Sequence, residues 1–354
     1  MAATHNNRPQ QQTFNNQNEI VERIDKIKLQ AKERQTNLFE LDQHNQIVPI
    51  GLPLSMESTN TATREKSQRT KLLPSHHMNR DYFLADLFDY AMKDDGASME
   101  VPIFSLSTKP DLSTWTWESK DKSRSVEVFP SVKGRATQFD KDVLIFLVSQ
   151  MTEAINRGRE DTQTRKVRFI VYDYLVSTNK PTGGSQYQRL EAAFDRLVGT
   201  TIKTNIKTGG QSEKRIFSLL GEVTIIEKSP NNERMIAVEV TLSKWLFNAI
   251  QAHEVLTIHR DYFRLRKPLE RRLYELARKH CGKQENWKIS LDLLREKCGA
   301  HTHIRDFRSQ ITIIAKSATL PEYQMIYDRD KNQVIFINKD YNKLPISIAQ
   351  KMAF

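Results

Sequence analysis

SQYQRLEAAFDRLVG, residues 185–199, and HIRDFRSQITIIAK, residues 303–316, decide how this chain folds. In the first stretch Tyr187, Leu190, Phe194 and Leu197 fall on one helical face, leaving Gln186, Arg189 and Arg196 outward. In the second, Ile304, Phe307, Ile311 and Ile314 point inward and Arg305, Arg308, Ser309, Thr312 and Lys316 outward. Each is an apolar-striped helix with a basic exposed face.

What precedes each helix is the same. TQFDKDVLIFLVSQMTEAINRG (137–158) carries Val143, Leu144, Leu147 and Met151 on one face, with Thr137 as the expected cap and Gly158 as the stop. Lys166 to Val171 alternates like a strand, Tyr172 to Ser177 is a short helix, and Asn179 to Gly184 is a turn, with Ser185 the expected N-cap of the next helix. In the second copy Pro268 sits near the first helical position, and Leu269, Leu273, Leu276 and Ala277 form the stripe. WKISLDLLREKCG (287–299) then repeats the strand and short helix.

A hairpin is expected to close each copy. TTIKTNI (200–206) and KRIFSLLGEVTIIEK (214–228), with Gly209 and Gly210 at the tip, form the first. EYQMIYDRDKNQVIFI (322–337), turning over Asp328 to Asn332, forms the second. Between the copies MIAVEV (235–240) reads as a bridging strand and LSKWLFNAI (242–250) as a short helix. Helix, helix, exposed basic helix and hairpin is the pattern of a winged-helix DNA-binding module. The expected fold is therefore α+β: tandem winged-helix domains with a largely disordered N-terminal arm.

The domains are expected at 80–257, with an N-terminal extension, and at 258–340, followed by a tail over 341–354. In the extension, Met99 to Ser107 and Ser113 to Trp117 read as short extended pieces, and Ser125 to Val128 alternates weakly. The arm, residues 1–79, opens on an Asn- and Gln-rich stretch that cannot bury enough apolar surface to offset ordering entropy. Within it Ile20, Ile24, Ile27 and Ala31 mark one amphipathic helix over 18–35, which either docks on its own chain or serves a partner. Residues 57–71 read as a linker.

Bulk properties agree with an anionic partner. The 354 residues carry 54 Lys and Arg against 43 Asp and Glu, a net charge of +11. No apolar run is long enough to span a bilayer and the amino end lacks a secretory signal, so a cytoplasmic protein without membrane attachment is expected. Two cysteines make no disulfide framework.

A helix fits the major groove, where Arg pairs with guanine and Gln with adenine, and its first residues do most of the reading. This singles out Ser185, Gln186 and Arg189, with Arg196 on the same face, and His303, Arg305, Arg308, Ser309, Thr312 and Lys316. The hairpins would bring Lys203, Lys207, Lys214 and Arg215, and separately Arg329 and Lys331, to phosphates. One such helix is as expected of any surface helix showing Arg and Gln to water; two, each before a hairpin in a basic chain, favour DNA. HRDYFRLRKPLERRLYELARKH (259–280) either contacts phosphate or is a solvated helix face, with Glu275 and Lys279 at pairing distance.

Other chemistries find less support. Cys281, Cys298, His280, His301 and His303 resemble zinc ligands, but the paired C-x-x-C half is absent and buried thiols are expected. His301-Thr302-His303 has a polar centre unlike the metal motif of strand-nicking initiators, for which Tyr172 or Tyr174 would be the nucleophile. No phosphate-binding GxxxxGK[ST] loop occurs. No cofactor and no catalysis are expected.

MEVPIFSLSTKPD (99–111), VEVFPSVKGRATQFDKDVLIFLVSQM (126–151), TGGSQYQRLEAAFDRLVGTTIKTNI (182–206) and LTIHRDYFRLRKPLERRLYELARKHCG (256–282) resemble the plasmid replication initiator protein A family. The resemblance runs from about residue 80 to 340 and does not reach the arm. It implies a plasmid initiator that binds repeated duplex sites (iterons) at an origin, helps to open it and recruits host replication proteins, a helicase or initiator. Self-association is also implied as possible for initiators of this type. The alternative is a transcriptional repressor using the same modules on one operator.

Overall fold

The structure is a computed structural model that describes residues 39–41, 47–49, 72–76, 91–119, 121–206, 214–229 and 232–340. The helix expected over 18–35, the linker, the tip glycines Gly209 and Gly210, and the tail after 340 lie outside the described residues. The chain divides into two compact units, residues 1–61 and 62–354. In the first, β1 (Phe39–Leu41) pairs antiparallel with β2 (Ile47–Pro49), a pairing the sequence reading did not anticipate.

The second unit opens with β3 (Lys93–Asp95) and α1 (Gly96–Glu100), then β4 (Trp115–Glu118) and β5 (Ser125–Phe129). The strand expected over Met99–Ser107 is thus in part helical, because the Asp95 carboxylate caps α1 by accepting from the Ser98 amide at 2.8 Å. Beyond it only Ser105 makes a bridge, to Thr137.

The first repeat comprises α2 (Lys141–Asn156), β6 (Lys166–Ile170), α3 (Val171–Ser177) and α4 (Gly184–Gly199). α2 starts four residues after Thr137; Thr137 instead closes the preceding turn, its amide donating to Asp140 at 2.8 Å. Next come β7 (Thr201–Thr204), β8 (Arg215–Ser218), β9 (Leu220–Ser229) and β10 (Asn232–Leu242). After α5 (Lys244–Gln251) and β11 (Val255–Thr257), the second repeat comprises α6 (Pro268–His280), β12 (Asn286–Ser290), α7 (Leu291–Cys298), α8 (Ile304–Ser317), β13 (Tyr323–Asp328) and β14 (Gln333–Asn338).

Sheet order makes the repeat stricter than the sequence suggested. The sheets run β6-β10-β9 and β12-β14-β13: in each, the last strand of the copy lies between the other two. The hairpin equivalent to β13–β14 is therefore β9–β10, and the stretch read as a bridge is its inner strand. Val238 lies opposite Phe169 and Val240 opposite Val167, as Val334 lies opposite Ile289 and Phe336 opposite Trp287. The expected first hairpin does form, β7 against β8, but it joins a separate sheet of order β4-β5-β7-β8. Burial selects this pairing: Ile202 meets Val128, and both are fully buried.

Two cores result. One gathers α2, β6, α3, α4 and β10; the other gathers α6, α7, α8, β12 and β14. α2 serves both, with Val143, Leu144 and Leu147 in the first and Ile145 in the second. The seam between them also carries a buried ionic network. Lys141 Nζ lies 2.7 Å from Asp94 and 3.0 Å from Glu275, and Arg272 Nη1 lies 3.1 Å from Glu275. Asp142 is held between Arg271 and Lys180. The basic run of α6 is thus neither a phosphate contact nor a solvated face at these positions: Arg271, Arg272 and Glu275 are buried, and Glu275 pairs with Lys141 and Arg272.

Candidate nucleic-acid interface

α8 is a helix for local reasons. His303 caps it, Nδ1 accepting from the Arg305 amide at 3.2 Å, and Phe307, Ile311 and Ile314 recur at helical spacing in the second core. That burial fixes the opposite face outward, where Arg305, Arg308, Ser309 and Lys316 are exposed and Thr312 half-buried. The β13–β14 hairpin stands alongside. Between them lies an open groove of about 530 Å³ bounded by Arg305, Arg308, Ser309, Thr312, Ile313, Tyr327, Arg329 and Asn332.

Five of the residues singled out in the sequence therefore share one concave face on which no carboxylate stands. Arg308 is oriented there: its Nε donates to Tyr327 Oη at 3.1 Å, and Tyr327 Oη donates to Asn332 Oδ1 at 2.9 Å. Asn332 occupies the left-handed turn conformation (φ 48°) that reverses the hairpin. Tyr327 and Asn332 are site residues the sequence did not reveal; Tyr327 reads there only as a strand residue. Lys331 projects from the same turn, exposed. A guanidinium fork fixed beside a hairpin can address either a guanine edge or a phosphate.

The first repeat presents its helix differently. α4 begins after Gly183, which offers no side-chain cap, so Ser185 lies exposed within the first turn and is not the N-cap. Neither Gly183 nor Gly184 has positive φ, and a Cβ at either position would meet nothing within 4 Å. Leu190, Phe194 and Leu197 are buried as expected, and Tyr187 packs at the margin. Gln186 and Arg189 stand on the wall of a groove of about 1010 Å³ that runs from α4 to the start of the second repeat.

Arg196 is committed elsewhere. Its Nε and Nη2 each lie 2.7 Å from an oxygen of Asp140, a bidentate clamp that ties α4 to the start of α2 and raises the guanidinium pKa further. Lys203 pairs with Glu127 at 2.7 Å within the separate sheet, and Arg215 lies on the edge strand β8 of that sheet, with Lys214 just before it. These three therefore do not stand on the hairpin equivalent to β13–β14. Lys207 lies outside the described residues. The alternation of residues 235–240 after the β-branched stretch of 223–226 was the available signal for the true counterpart.

Cys281 and Cys298 are buried, and burial pushes the Cys298 thiol up to about 12. Among the described residues no three His, Cys, Asp or Glu side chains converge as metal ligands. His303 is the α8 cap, and Tyr174 is buried beside Phe146 and Phe169. No helix among the described residues is long and apolar enough to cross a membrane.

These features define a class: an α+β protein of two repeats, each presenting a helix with basic residues on its outer face. The chain belongs to the replication initiator protein A family, which matches residues 93–325. A putative replication protein of Wigglesworthia glossinidia brevipalpis is 32% identical over 259 residues, 73% of this chain and 93% of that one. Among solved structures, domains 2 and 3 of RctB superpose with a TM-score of 0.50 at 14% identity, covering 69% of this chain and 98% of theirs. A Pi initiator protein solved with iteron DNA aligns at a TM-score of 0.40 and 15% identity, covering 63% of this chain and 100% of that one.

Proposed function

We propose that this protein initiates plasmid replication by binding repeated duplex sites at the origin through two winged helices, without catalysing a reaction. The order helix, strand, helix, helix, hairpin in each repeat supports this reading, in which α4 and α8 serve as reading helices and β9–β10 and β13–β14 as wings. The two domains are those around residues 80–257 and 258–340. The observation that carries the reading is the α8 face, where Arg308 is held by Tyr327 beside Arg305 and Arg329 with no carboxylate on the wall.

Two reading helices on one chain suit successive major grooves, about one helical turn or 10 base pairs apart. Copies bound side by side on repeats would strain adjacent duplex, since bending a site costs on the order of a few kcal/mol that protein contacts repay. Origin opening and recruitment of host replication proteins are the parts of the proposal that rest on family membership.

DNase I footprinting on the DNA flanking the gene tests it. Several evenly spaced direct repeats should be protected, with enhanced cuts between them. Protection of one short operator would move the function to transcriptional control, and no protection at low salt would end the proposal.

A further inference from the structure

The groove between the two repeats holds more positive charge than the fold consumes. Eight basic side chains and one carboxylate, Asp140, line its volume of about 1010 Å³. Arg196 neutralises Asp140, while Lys180 and Arg271 share the buried Asp142 behind the wall. Lys267 makes only a loose contact with Glu270, at 3.8 Å. Lys109, Lys133, Arg189 and Arg266 have no ion-pair partner among the described residues. Arg266 is the most telling of them, because its Nε is buried and without a hydrogen-bond acceptor.

Fold stability does not explain four uncompensated cations around one concavity, since mutual repulsion opposes them in the unliganded protein. The groove starts at Gln186 and Arg189 on the first reading helix and ends at Arg266 and Lys267, where the second repeat begins. At its first end the chain turns through Gly183 and Gly184, where nothing crowds a missing Cβ and close approach by an outside group is open.

We propose that this groove is a phosphate track: it receives the sugar–phosphate backbone of the duplex between the two bound major grooves, with Lys109, Lys133 and Arg266 as its clamps. The assignment rests on the DNA-binding reading above and adds to it residues from the N-terminal extension and from the junction. Contacts of this kind fix register and carry no base information.

The test is the salt dependence of the full-length protein on an origin-repeat duplex and on an unrelated duplex, with the triple variant Lys109→Ala/Lys133→Ala/Arg266→Ala. Each lost phosphate contact lowers the slope of log K against log salt by about 0.9, so the slope should flatten by about 2.7 on both duplexes. Lys109→Arg/Lys133→Arg should keep the wild-type slope. Phosphates between the two protected grooves should block wild-type binding when ethylated, and lose that effect in the triple variant. Should Arg266 prove needed for folding, Lys109→Ala/Lys133→Ala alone should flatten the slope by about 1.8. A folded variant with unchanged slope and unchanged ethylation pattern overturns the track while leaving the two reading helices standing. A wild-type protein that binds no duplex overturns both.

Discussion

Arg308→Ala isolates base reading from charge. Arg308 is exposed, and among the described residues its side chain makes one hydrogen bond, from Nε to Tyr327 Oη at 3.1 Å. Loss of a surface contact of this kind should change folding stability by no more than about 0.5 kcal/mol, so the effect belongs to the complex. A guanidinium forked onto a guanine edge contributes about 1–3 kcal/mol of discrimination, or roughly 5- to 150-fold in Kd on the cognate repeat. On unrelated duplex the loss should be small.

Tyr327→Phe extends the argument. It keeps the ring but removes the oxygen that accepts from Arg308 and donates to Asn332 at 2.9 Å. A guanidinium no longer held in place must be ordered on binding, at a cost of about 0.5–1.5 kcal/mol. That cost should vanish when Arg308 is already alanine, giving a positive coupling in the double-mutant cycle. Fluorescence anisotropy on cognate and scrambled duplexes at several salt concentrations reads all of this, with Lys331→Ala as the phosphate-type control. If Arg308→Ala weakens both duplexes equally and flattens the salt slope by about one, as Lys331→Ala should, then α8 grips the backbone and the base-reading assignment is wrong.

Three further outcomes are expected. Asp142→Asn removes the buried carboxylate that pairs with Arg271 and Lys180, and should cost about 3–5 kcal/mol in urea unfolding; a loss below about 1 kcal/mol would show that the seam tolerates unpaired charge. Gly183→Ala/Gly184→Ala should leave the melting temperature unchanged or higher, since a Cβ meets nothing there, yet weaken DNA binding; equal affinity would mean that no ligand approaches this turn. His280, stacked on Trp287 at 4.6 Å, has its pKa pushed down by burial from 6.5 to about 4. Between those values the unfolded chain binds a proton that the folded one does not, so stability from this group is present above pH 6.5 and is lost as pH falls toward 4. Wild type should therefore lose urea stability relative to His280→Gln over that interval, and parallel pH curves would refute the assignment.

The second repeat was legible in the sequence almost throughout, because its signals are local. Pro268 does stand at the start of α6, and the turn over Asp328 to Asn332 joins β13 to β14. The first repeat was legible in its helices but not in its hairpin. Residues 200–206 and 235–240 alternate equally well, and only the tertiary partners, Val128 for Ile202 and Phe169 for Val238, decide which strand completes which sheet. The outer face of α8 could be read because Phe307, Ile311 and Ile314 leave no other orientation. Arg196 could not be read correctly, since Asp140 reaches it from 56 positions away. The buried face of α6 was equally hidden: Arg271, Arg272 and Glu275 resemble a solvated helix until Lys141 and Asp142 are brought against them.

Arg272 donates to the carbonyls of Ser98, Met99 and Lys297 at 2.8–3.1 Å as well as pairing with Glu275. Arg271 pairs with Asp142 and also donates to the carbonyls of Phe263 and Leu265. An apolar seam would let one repeat slide on the other at small cost, because the hydrophobic effect has no preferred direction. Here any shift strands buried donors and acceptors, at about 1–3 kcal/mol apiece and more for the charged groups. The two outward faces are therefore held in one relative setting by residues that lie on neither reading helix. If α4 and α8 read two grooves, the spacing of the DNA sites they accept is written in Lys141, Asp142, Arg271, Arg272 and Glu275, and not in the reading helices themselves.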